Sequence, residues 1–160
     1  VQTCALPISH EISASHISHL KQIFPEAVCL SEINTSNVDT ENKVMIVDKM
    51  GVLSRLYLYA AICYIGGGLK KSGHHNILEA AVYGKAIVTG PYIHKFSESI
   101  SLHQMQGSFI VRNGKELSTI TSQKALYEKA GEKAADFVKM SLGSTHKIME
   151  WIETSGLIKK

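Results

Sequence analysis

The sequence predicts an α/β fold in which helices cover both faces of a doubly wound parallel sheet. Short apolar runs alternate along the chain with segments of helical periodicity. The apolar runs are continuous rather than alternating in polarity, which is typical of parallel strands buried on both faces. The chain has 160 residues, 44% of them hydrophobic and 19% charged, so it holds enough apolar residues for a packed core.

In the first part of the chain the pattern predicts a helix, a strand, a polar loop, a second strand and a second helix. Apolar residues recur at helical spacing from Ile12 to Phe24. Two short apolar runs suit buried strands, and a polar stretch separates them. The bounds are 11–24 for the first helix, 27–32 and 44–48 for the strands, 33–43 for the loop and 51–60 for the second helix.

Strands and helices continue to alternate after position 60. A strand runs into three glycines, and Gly84 ends the short helix that follows. The last helix is amphipathic, with Ile148, Trp151 and Ile152 on one side, and we expect that side to pack against the domain. The predicted strands are 62–65, 86–91 and 108–113, and the predicted helices are 76–84, 95–106, 115–140 and 144–156.

Composition argues against several classes of protein. A net charge of +3 without a cluster of Lys and Arg, together with 7% aromatic residues, does not indicate a nucleic-acid partner. Cys4, Cys29 and Cys63 are widely spaced and form no CxxC motif, so we expect free thiols in a reducing compartment. The longest apolar run, 56–65, is too short to span a bilayer.

The first residues, VQTCALPI, have no pattern that leads into the first helix and lack an initiator Met. The string resembles the translation of a sequencing-library adapter. We therefore expect residues 1–8 to be non-native and the chain to be a fragment cut on its N-terminal side.

The glycine run Gly66 to Gly68 lies after a predicted strand and before a predicted helix. Glycine lets another molecule approach the backbone, and the start of a helix offers free N–H groups, so the pattern suits a phosphate. His74 and His75 follow where a P-loop needs Lys and Ser or Thr. Lys71 stands where a GxGxxG turn needs its third glycine, so neither standard nucleotide loop is present.

Asn76 and Glu79 share one face of the predicted short helix. A carboxylate offers two acceptor oxygens to the two hydroxyl groups of a ribose, so Glu79 is a candidate ribose ligand. The same spacing also fits a helix cap, in which Asn76 is the N-cap and Glu79 completes a capping box. His74 and His75 both lie in the loop, and at least one of them is a candidate donor to the phosphate. A simple loop role fits them as well, and both interpretations stay open.

A metal site is not indicated. His16 and His19 share a helical face, but no third ligand has suitable spacing, and an HExxH motif is absent. We expect these histidines to be solvated.

The stretch GGGLKKSGHHNILEAAVYGKAIVTGP, 66–91, resembles the HN-x-LE segment of the 3-deoxy-D-manno-octulosonic acid (Kdo) transferases. The preceding stretch, 48–68, resembles the Met-Gly-x-Leu turn, helix and strand of that family, and the tail 130–152 resembles its C-terminal helices. The resemblance covers about 10–152.

This resemblance implies the C-terminal, Rossmann-like half of a two-domain GT-B glycosyltransferase, here 9–160, without its N-terminal acceptor domain. In GT-B proteins the last segment often crosses back to the other half, so the resemblance also allows part of the apolar face of the last helix to be exposed in this chain. Members of the family transfer Kdo from CMP-Kdo to a lipid A precursor in lipopolysaccharide biosynthesis. The implied reaction is inverting and independent of metal, needs no cofactor, and takes place at the cytoplasmic face of the bacterial inner membrane. The catalytic base lies in the other half, so we expect this chain alone to bind donor weakly and to transfer no sugar.

The resemblance also assigns the donor site. Met50, Gly51, Val52 and Leu53 would hold the cytosine through backbone groups, although many members have Glu where Val52 stands. Glycines 66–68 would leave room for the donor, and the 75–79 segment would hold the ribose and phosphate through the side chains of His75, Asn76 and Glu79.

Two further pairs are implied. His10 and Glu11 fall where many members carry a Pro-Arg-His phosphate motif, but Ser9 replaces the Arg. Gly90 and Pro91 end a strand on the ligand side and would border the sugar pocket.

Two alternatives remain from the sequence. One is the donor-binding half of another GT-B glycosyltransferase that uses a UDP- or GDP-sugar. The other is a non-catalytic nucleotide-binding module. Preference for CMP over UMP and GDP would distinguish a Kdo transferase from the first alternative. A full-length protein without an acceptor domain that carries a catalytic carboxylate would favour the second alternative.

Overall fold

The computed structural model describes residues 12–33 and 44–155. The chain divides into two compact units, one ending at Arg55 and the other beginning at Leu56, and each is described by itself. The predictions for 1–8, for His10 and Glu11 and for nearly all of the polar loop fall outside the described residues. That residues 9–160 form one domain stays a prediction.

The first unit contains a two-stranded parallel sheet, one complete helix and the start of a second helix, as the sequence predicts. Val28 lies opposite Met45 in the sheet, and Ser13 caps the helix by accepting a hydrogen bond from the His16 N–H at 3.3 Å. Ile46 and Val47 are fully buried and form the centre of this unit's core. The elements are α1 (Ala14–Ile23), β1 (Val28–Cys29), β2 (Met45–Ile46) and α2 (Leu53–Leu56).

All four elements of the first half are shorter than predicted, and the reason is visible for β1 and for the second helix. β1 ends at Cys29 because the Glu32 carboxylate folds back and accepts the Cys29 N–H at 3.1 Å, which closes a 3₁₀ turn over Leu30–Glu32. The predicted helix over 51–60 is α-helical only in α2 and continues as the 3₁₀ turn Tyr57–Tyr59. The helix ends at Ala60, whose backbone is extended at φ −71° and ψ 145°, and the next strand begins at Ile62.

Over residues 56–155, the second unit is a three-stranded parallel sheet in the order β3-β4-β5 with five α-helices that begin after the first strand. All four residues of the central strand are buried, which explains their unbroken apolar pattern up to Thr89. The observed parallel α/β organisation confirms the predicted fold class. The elements are β3 (Ile62–Ile65), α3 (Leu78–Val82), β4 (Ala86–Thr89), α4 (Ser97–Gln104), β5 (Ser108–Ile110), α5 (Gly114–Thr121), α6 (Lys124–Ser141) and α7 (Ser144–Thr154).

Gly84 ends α3, as predicted, and also lets a second helix approach. Its φ angle is +64°, a left-handed conformation that disfavours side chains. A Cβ on Gly131 of α6 would collide with the Gly84 carbonyl group. The two glycines therefore permit close contact between the end of α3 and the middle of α6.

The sequence prediction is wrong in two places near the C-terminus. The helix predicted over 115–140 is interrupted at Ser122 and Gln123, because both side chains donate to the Thr119 carbonyl, at 2.9 and 3.0 Å. Ile148 and Trp151 of α7 do not pack down, since they are 57% and 61% exposed.

Candidate functional site

The glycine segment forms a closed loop at the carboxyl end of β3. The Gly73 N–H donates to the Lys70 carbonyl at 3.0 Å, and the Lys70 N–H donates to the Gly67 carbonyl at the same distance. The His75 N–H donates to the Gly66 carbonyl at 3.1 Å and joins the two ends of the loop. Ligands of parallel α/β sheets bind at this edge of the sheet.

The three glycines have different roles in this loop. Gly67 has a φ of +89°, and a Cβ there would lie 2.5 Å from the Gly73 carbonyl oxygen. A Cβ on Gly68 would lie 2.7 Å from the Gly90 nitrogen. A Cβ on Gly66 would meet nothing within 4 Å. The fold itself requires glycine at two of these positions, and only Gly66 borders open space.

Gly90 and Pro91 lie where the predicted site needs them, at the carboxyl end of β4. The Gly68 and Gly90 backbones are in direct contact, and the Tyr92 N–H donates to the Gly68 carbonyl at 3.1 Å. The structure thus brings together the glycine loop and the end of the central strand.

Asn76 and Glu79 interact at the start of α3. Asn76 Nδ2 donates to Glu79 Oε1 at 3.3 Å, and Asn76 Oδ1 accepts the Leu78 N–H at 2.9 Å. This is an Asx turn rather than the predicted reciprocal capping box. Both side chains are exposed, as is that of His75. Glu79 Oε2 accepts no hydrogen bond from the described part of the protein and stays available to a ligand.

Tyr57 is a residue that the sequence analysis missed. It is 9% exposed, and burial raises the pKa of its phenol to about 12, with the negative charge of Glu79 and then that of Cys63 adding to the effect. The phenol therefore remains protonated near the Glu79 carboxylate. The available signal was a tyrosine within the apolar run of 56–65, but that pattern indicates burial and not proximity to Glu79.

The Met50 to Leu53 turn belongs to the first unit and presents open backbone. Gly51 has a φ of +77° and no atom within 4 Å of its ideal Cβ position. Met50 is 79% exposed, and Leu53 begins α2. Met50 and Gly51 are thus exposed, Val52 and Leu53 are half-buried, and the role of the turn's backbone groups in holding a base stays a prediction.

The first unit also contains an open cleft of about 440 Å³ beside the first turn of α1. Lys21 Nζ lies 2.7 Å from Glu32 Oε1, and the lowered pKa of Glu32 results first from this contact and then from the Cys29 N–H. Burial tends to raise the pKa of Asp48, but hydrogen bonds from the Ser31 hydroxyl and N–H outweigh it and lower that pKa. The charges lining the cleft are therefore paired or hydrogen-bonded within the protein.

The described residues contain no group of three or more His, Cys, Asp or Glu side chains that would hold a metal ion. His16 and His19 are exposed on α1, as predicted. Among the described helices, none combines the length and the apolar character needed to cross a membrane.

Several curated proteins are similar in sequence to this chain. A 3-deoxy-D-manno-octulosonic acid transferase of Aquifex aeolicus is 36% identical over 80 residues, 49% of this chain and 23% of that protein. Transferases of the same name from Rickettsia prowazekii and Rickettsia typhi are 37% identical over 83 residues and 30% identical over 136 residues. These alignments cover 51% and 78% of this chain but 18% and 29% of the two relatives, so the chain spans well under half of each relative.

The fold has a counterpart among solved structures. The C-terminal CMP-Kdo binding domain of WaaA from Acinetobacter baumannii superposes with a TM-score of 0.71 at 19% identity, over 84% of this chain and 73% of that one. No protein-family model matches the chain. The sequence relatives confirm the resemblance read from the 66–91 segment, and the solved domain confirms the fold.

Proposed function

Since this chain is a relative of the Kdo transferases, which are glycosyltransferases, we propose that it is the donor-binding half of such an enzyme. In this proposal the full GT-B enzyme transfers Kdo from CMP-Kdo to a lipid A precursor during lipopolysaccharide biosynthesis. The reaction is inverting, needs no metal or cofactor, and takes place at the cytoplasmic face of the inner membrane, with which the enzyme associates peripherally.

One observation carries the proposal: the open glycine of the loop is hydrogen-bonded to the segment that holds an acidic side chain, one oxygen of which has no partner among the described residues. The Gly66 carbonyl accepts the N–H of His75, and Asn76 follows immediately in the chain. Asn76 in turn holds Glu79 Oε1 and leaves Oε2 without a protein partner among the described residues. A phosphate approaching bare backbone and a ribose reaching a carboxylate fit this arrangement.

The residues have separate roles in this proposal. Glu79 accepts the ribose hydroxyl groups, while His75 and Asn76 contact the phosphate side of the nucleotide. Gly90 and Pro91 border the sugar, and the Met50 to Leu53 backbone contacts the base. No catalytic base is assigned to this chain, because the resemblance places it in the acceptor-binding half.

Calorimetric titration of the chain with CMP, UMP and GDP tests the proposal. We expect CMP to bind most tightly, by about tenfold or more, because a cytosine-specific contact differs from a uracil contact in donor and acceptor pattern. Tighter binding of UMP or GDP would favour a different class of sugar donor. Absence of binding by all three would contradict a donor-binding role.

A transfer assay tests whether sugar transfer needs the acceptor-binding half of the enzyme. The chain alone is expected to transfer no Kdo, whereas the enzyme with its acceptor-binding half is expected to transfer it equally well with and without a metal chelator. Transfer by the chain alone would show that the catalytic base lies within these 160 residues.

A further inference from the structure

His74 is buried in the glycine loop, where the sequence gives no reason to bury a polar ring. Its side chain is 6% exposed, although both neighbouring loop lysines, Lys70 and Lys71, are exposed. The ring packs on Phe96 with a centroid distance of 4.5 Å and an interplanar angle of 37°. Phe96 also occupies the place of a side chain at Gly73, since a Cβ there would lie 2.6 Å from the Phe96 ring.

The hydrogen bond of His74 defines its tautomer. Nδ1 lies 2.6 Å from the carbonyl oxygen of His75. A carbonyl oxygen can only accept, so Nδ1 must carry the hydrogen. Nε2 is buried and has no partner in the described part of the chain, so a second proton there would have no acceptor. The arrangement fits a ring with its hydrogen on Nδ1.

This bond acts on the segment that carries the proposed ligands. The His75 N–H is held by the Gly66 carbonyl at 3.1 Å, and the His75 carbonyl is held by His74. Both peptide planes that flank His75 are therefore fixed from inside the loop. The next residue, Asn76, presents its side chain to Leu78 and Glu79 from this fixed backbone.

We propose that His74 is a positioning residue of the donor site: its Nδ1–H holds the His75 carbonyl inward and so presents the His75, Asn76 and Glu79 side chains outward. This inference rests on the proposed function for the identity of the ligand. The positioning itself is a property of the loop and is measurable without ligand. The ring and the donor group have distinct effects, since the ring fills the space beside Phe96 and the donor fixes the peptide.

Two substitutions separate these effects. His74→Phe keeps an aromatic ring on Phe96 but removes the donor. His74→Asn removes the ring but keeps a donor, because the Asn amide nitrogen is attached to Cγ just as Nδ1 is. If His74 has only a structural role, the order of the 75–79 segment and the CMP affinity follow the stability of the fold in both variants. If His74 positions the segment, these two quantities follow the donor group and the stability follows the ring.

The experiment uses the full chain and CMP as the probe, with three readouts in addition to the nitrogen-15 spectrum of the ring. Amide exchange of Leu78, whose N–H bonds to Asn76 Oδ1 at 2.9 Å, reports whether the segment is in place. Calorimetry gives the CMP affinity, and thermal unfolding gives the midpoint. The amide of Val88 in the central strand serves as the exchange control.

For His74→Phe we expect Leu78 exchange to accelerate and CMP affinity to fall by about tenfold each, with little change in the midpoint or at Val88. For His74→Asn we expect the Leu78 exchange rate and the CMP affinity to stay close to those of the original chain, although the midpoint of thermal unfolding falls. Nitrogen-15 spectra of the ring are expected to show the Nδ1–H tautomer.

Three results would overturn the proposal. They are an Nε2–H tautomer, unchanged Leu78 exchange in His74→Phe, or exchange and affinity that follow the midpoint in both variants. If the original chain binds no CMP, the proposed function fails, while the tautomer and exchange measurements still decide the role of His74.

Discussion

Asn76 Nδ2 lies 3.3 Å from Glu79 Oε1 and holds the carboxylate at the start of α3. A second Asn-x-x-Glu sequence begins α5, where Asn113 Nδ2 lies 3.1 Å from Glu116 Oε1. The second pair is a helix cap: Asn113 Oδ1 accepts the Glu116 N–H and Glu116 Oε2 accepts the Arg112 N–H. At Glu79 the corresponding oxygen has no such partner among residues 12–33 and 44–155, which distinguishes a candidate ligand from a cap of the same sequence pattern.

Substitution of Glu79 by Gln is expected to weaken CMP binding by about tenfold. The amide still accepts from Asn76, but it offers one acceptor oxygen in place of two and carries no charge to strengthen bonds from the ribose hydroxyls. Glu116→Gln is the matched control and is expected to leave affinity unchanged. Calorimetry on both variants checks this, and equal affinities for Glu79→Gln and the original chain would remove Glu79 from the site.

Substitutions of Gly66 and Gly68 are expected to have different effects on stability and on CMP affinity. Gly66→Ala is expected to change the free energy of unfolding by less than about 0.5 kcal/mol, because the added methyl meets open space. The same methyl would occupy the path of the ligand, so we expect CMP affinity to fall at least about tenfold. Gly68→Ala is expected to destabilise the fold by about 1–3 kcal/mol because its Cβ would collide with Gly90. Urea unfolding and calorimetry give the two quantities, and a destabilised Gly66→Ala or one with unchanged affinity would contradict this assignment.

Local signals explain what the sequence predicted correctly. Gly84 and the Gly90-Pro91 pair end their elements through their own backbone preferences, which act without knowledge of the rest of the fold. The continuous apolar run of β4 indicates burial on both faces in the same local way. Strand and helix order in the second unit was therefore predictable.

The remaining features depend on contacts between distant segments. Phe96 decides that His74 is buried, and Gly90 decides that Gly68 must lack a side chain. The break of the predicted 115–140 helix depends on which carbonyl the Ser122 and Gln123 side chains reach. The periodicity of a short stretch of sequence does not show which distant residues will be in contact.

Asp48 is expected to couple the stability of the first unit to acid pH. Its pKa is lowered in the folded chain because the Ser31 bonds outweigh the opposing effect of burial. A lowered pKa means that the carboxylate stabilises the fold above about pH 4, and that this contribution is lost as the pH falls through the folded pKa. Ser31→Ala is expected to cost about 1 kcal/mol at pH 7 and progressively less toward pH 3.

Urea unfolding of the original chain and of Ser31→Ala from pH 7 to pH 3 measures the difference in their free energies of unfolding. Ser101→Ala, an exposed serine of α4, is the control and is expected to show an effect independent of pH. A Ser31→Ala effect of constant size across the pH range would contradict the role assigned to Asp48.

The thiol of Cys63 is expected to be protected from alkylation in the folded chain and to lower the free energy of unfolding at alkaline pH. It is 6% exposed, and burial raises its pKa to about 11, against a smaller lowering by Lys85. A raised pKa means that the unfolded chain ionises this thiol first, so stability falls as the pH rises from the unfolded value of about 8.5 toward the folded one. Cys63→Ala is expected to be less stable than the original chain at pH 7, because it leaves a cavity, and to lose less further stability between pH 8.5 and 10.5. Alkylation followed by mass spectrometry gives a second measure, in which Cys63 and the other buried cysteine, Cys29, react slowly in the folded chain and readily in urea. Rapid labelling of Cys63 in the native chain, with Cys29 protected, would show that β3 opens at the edge of its sheet on the timescale of the reaction.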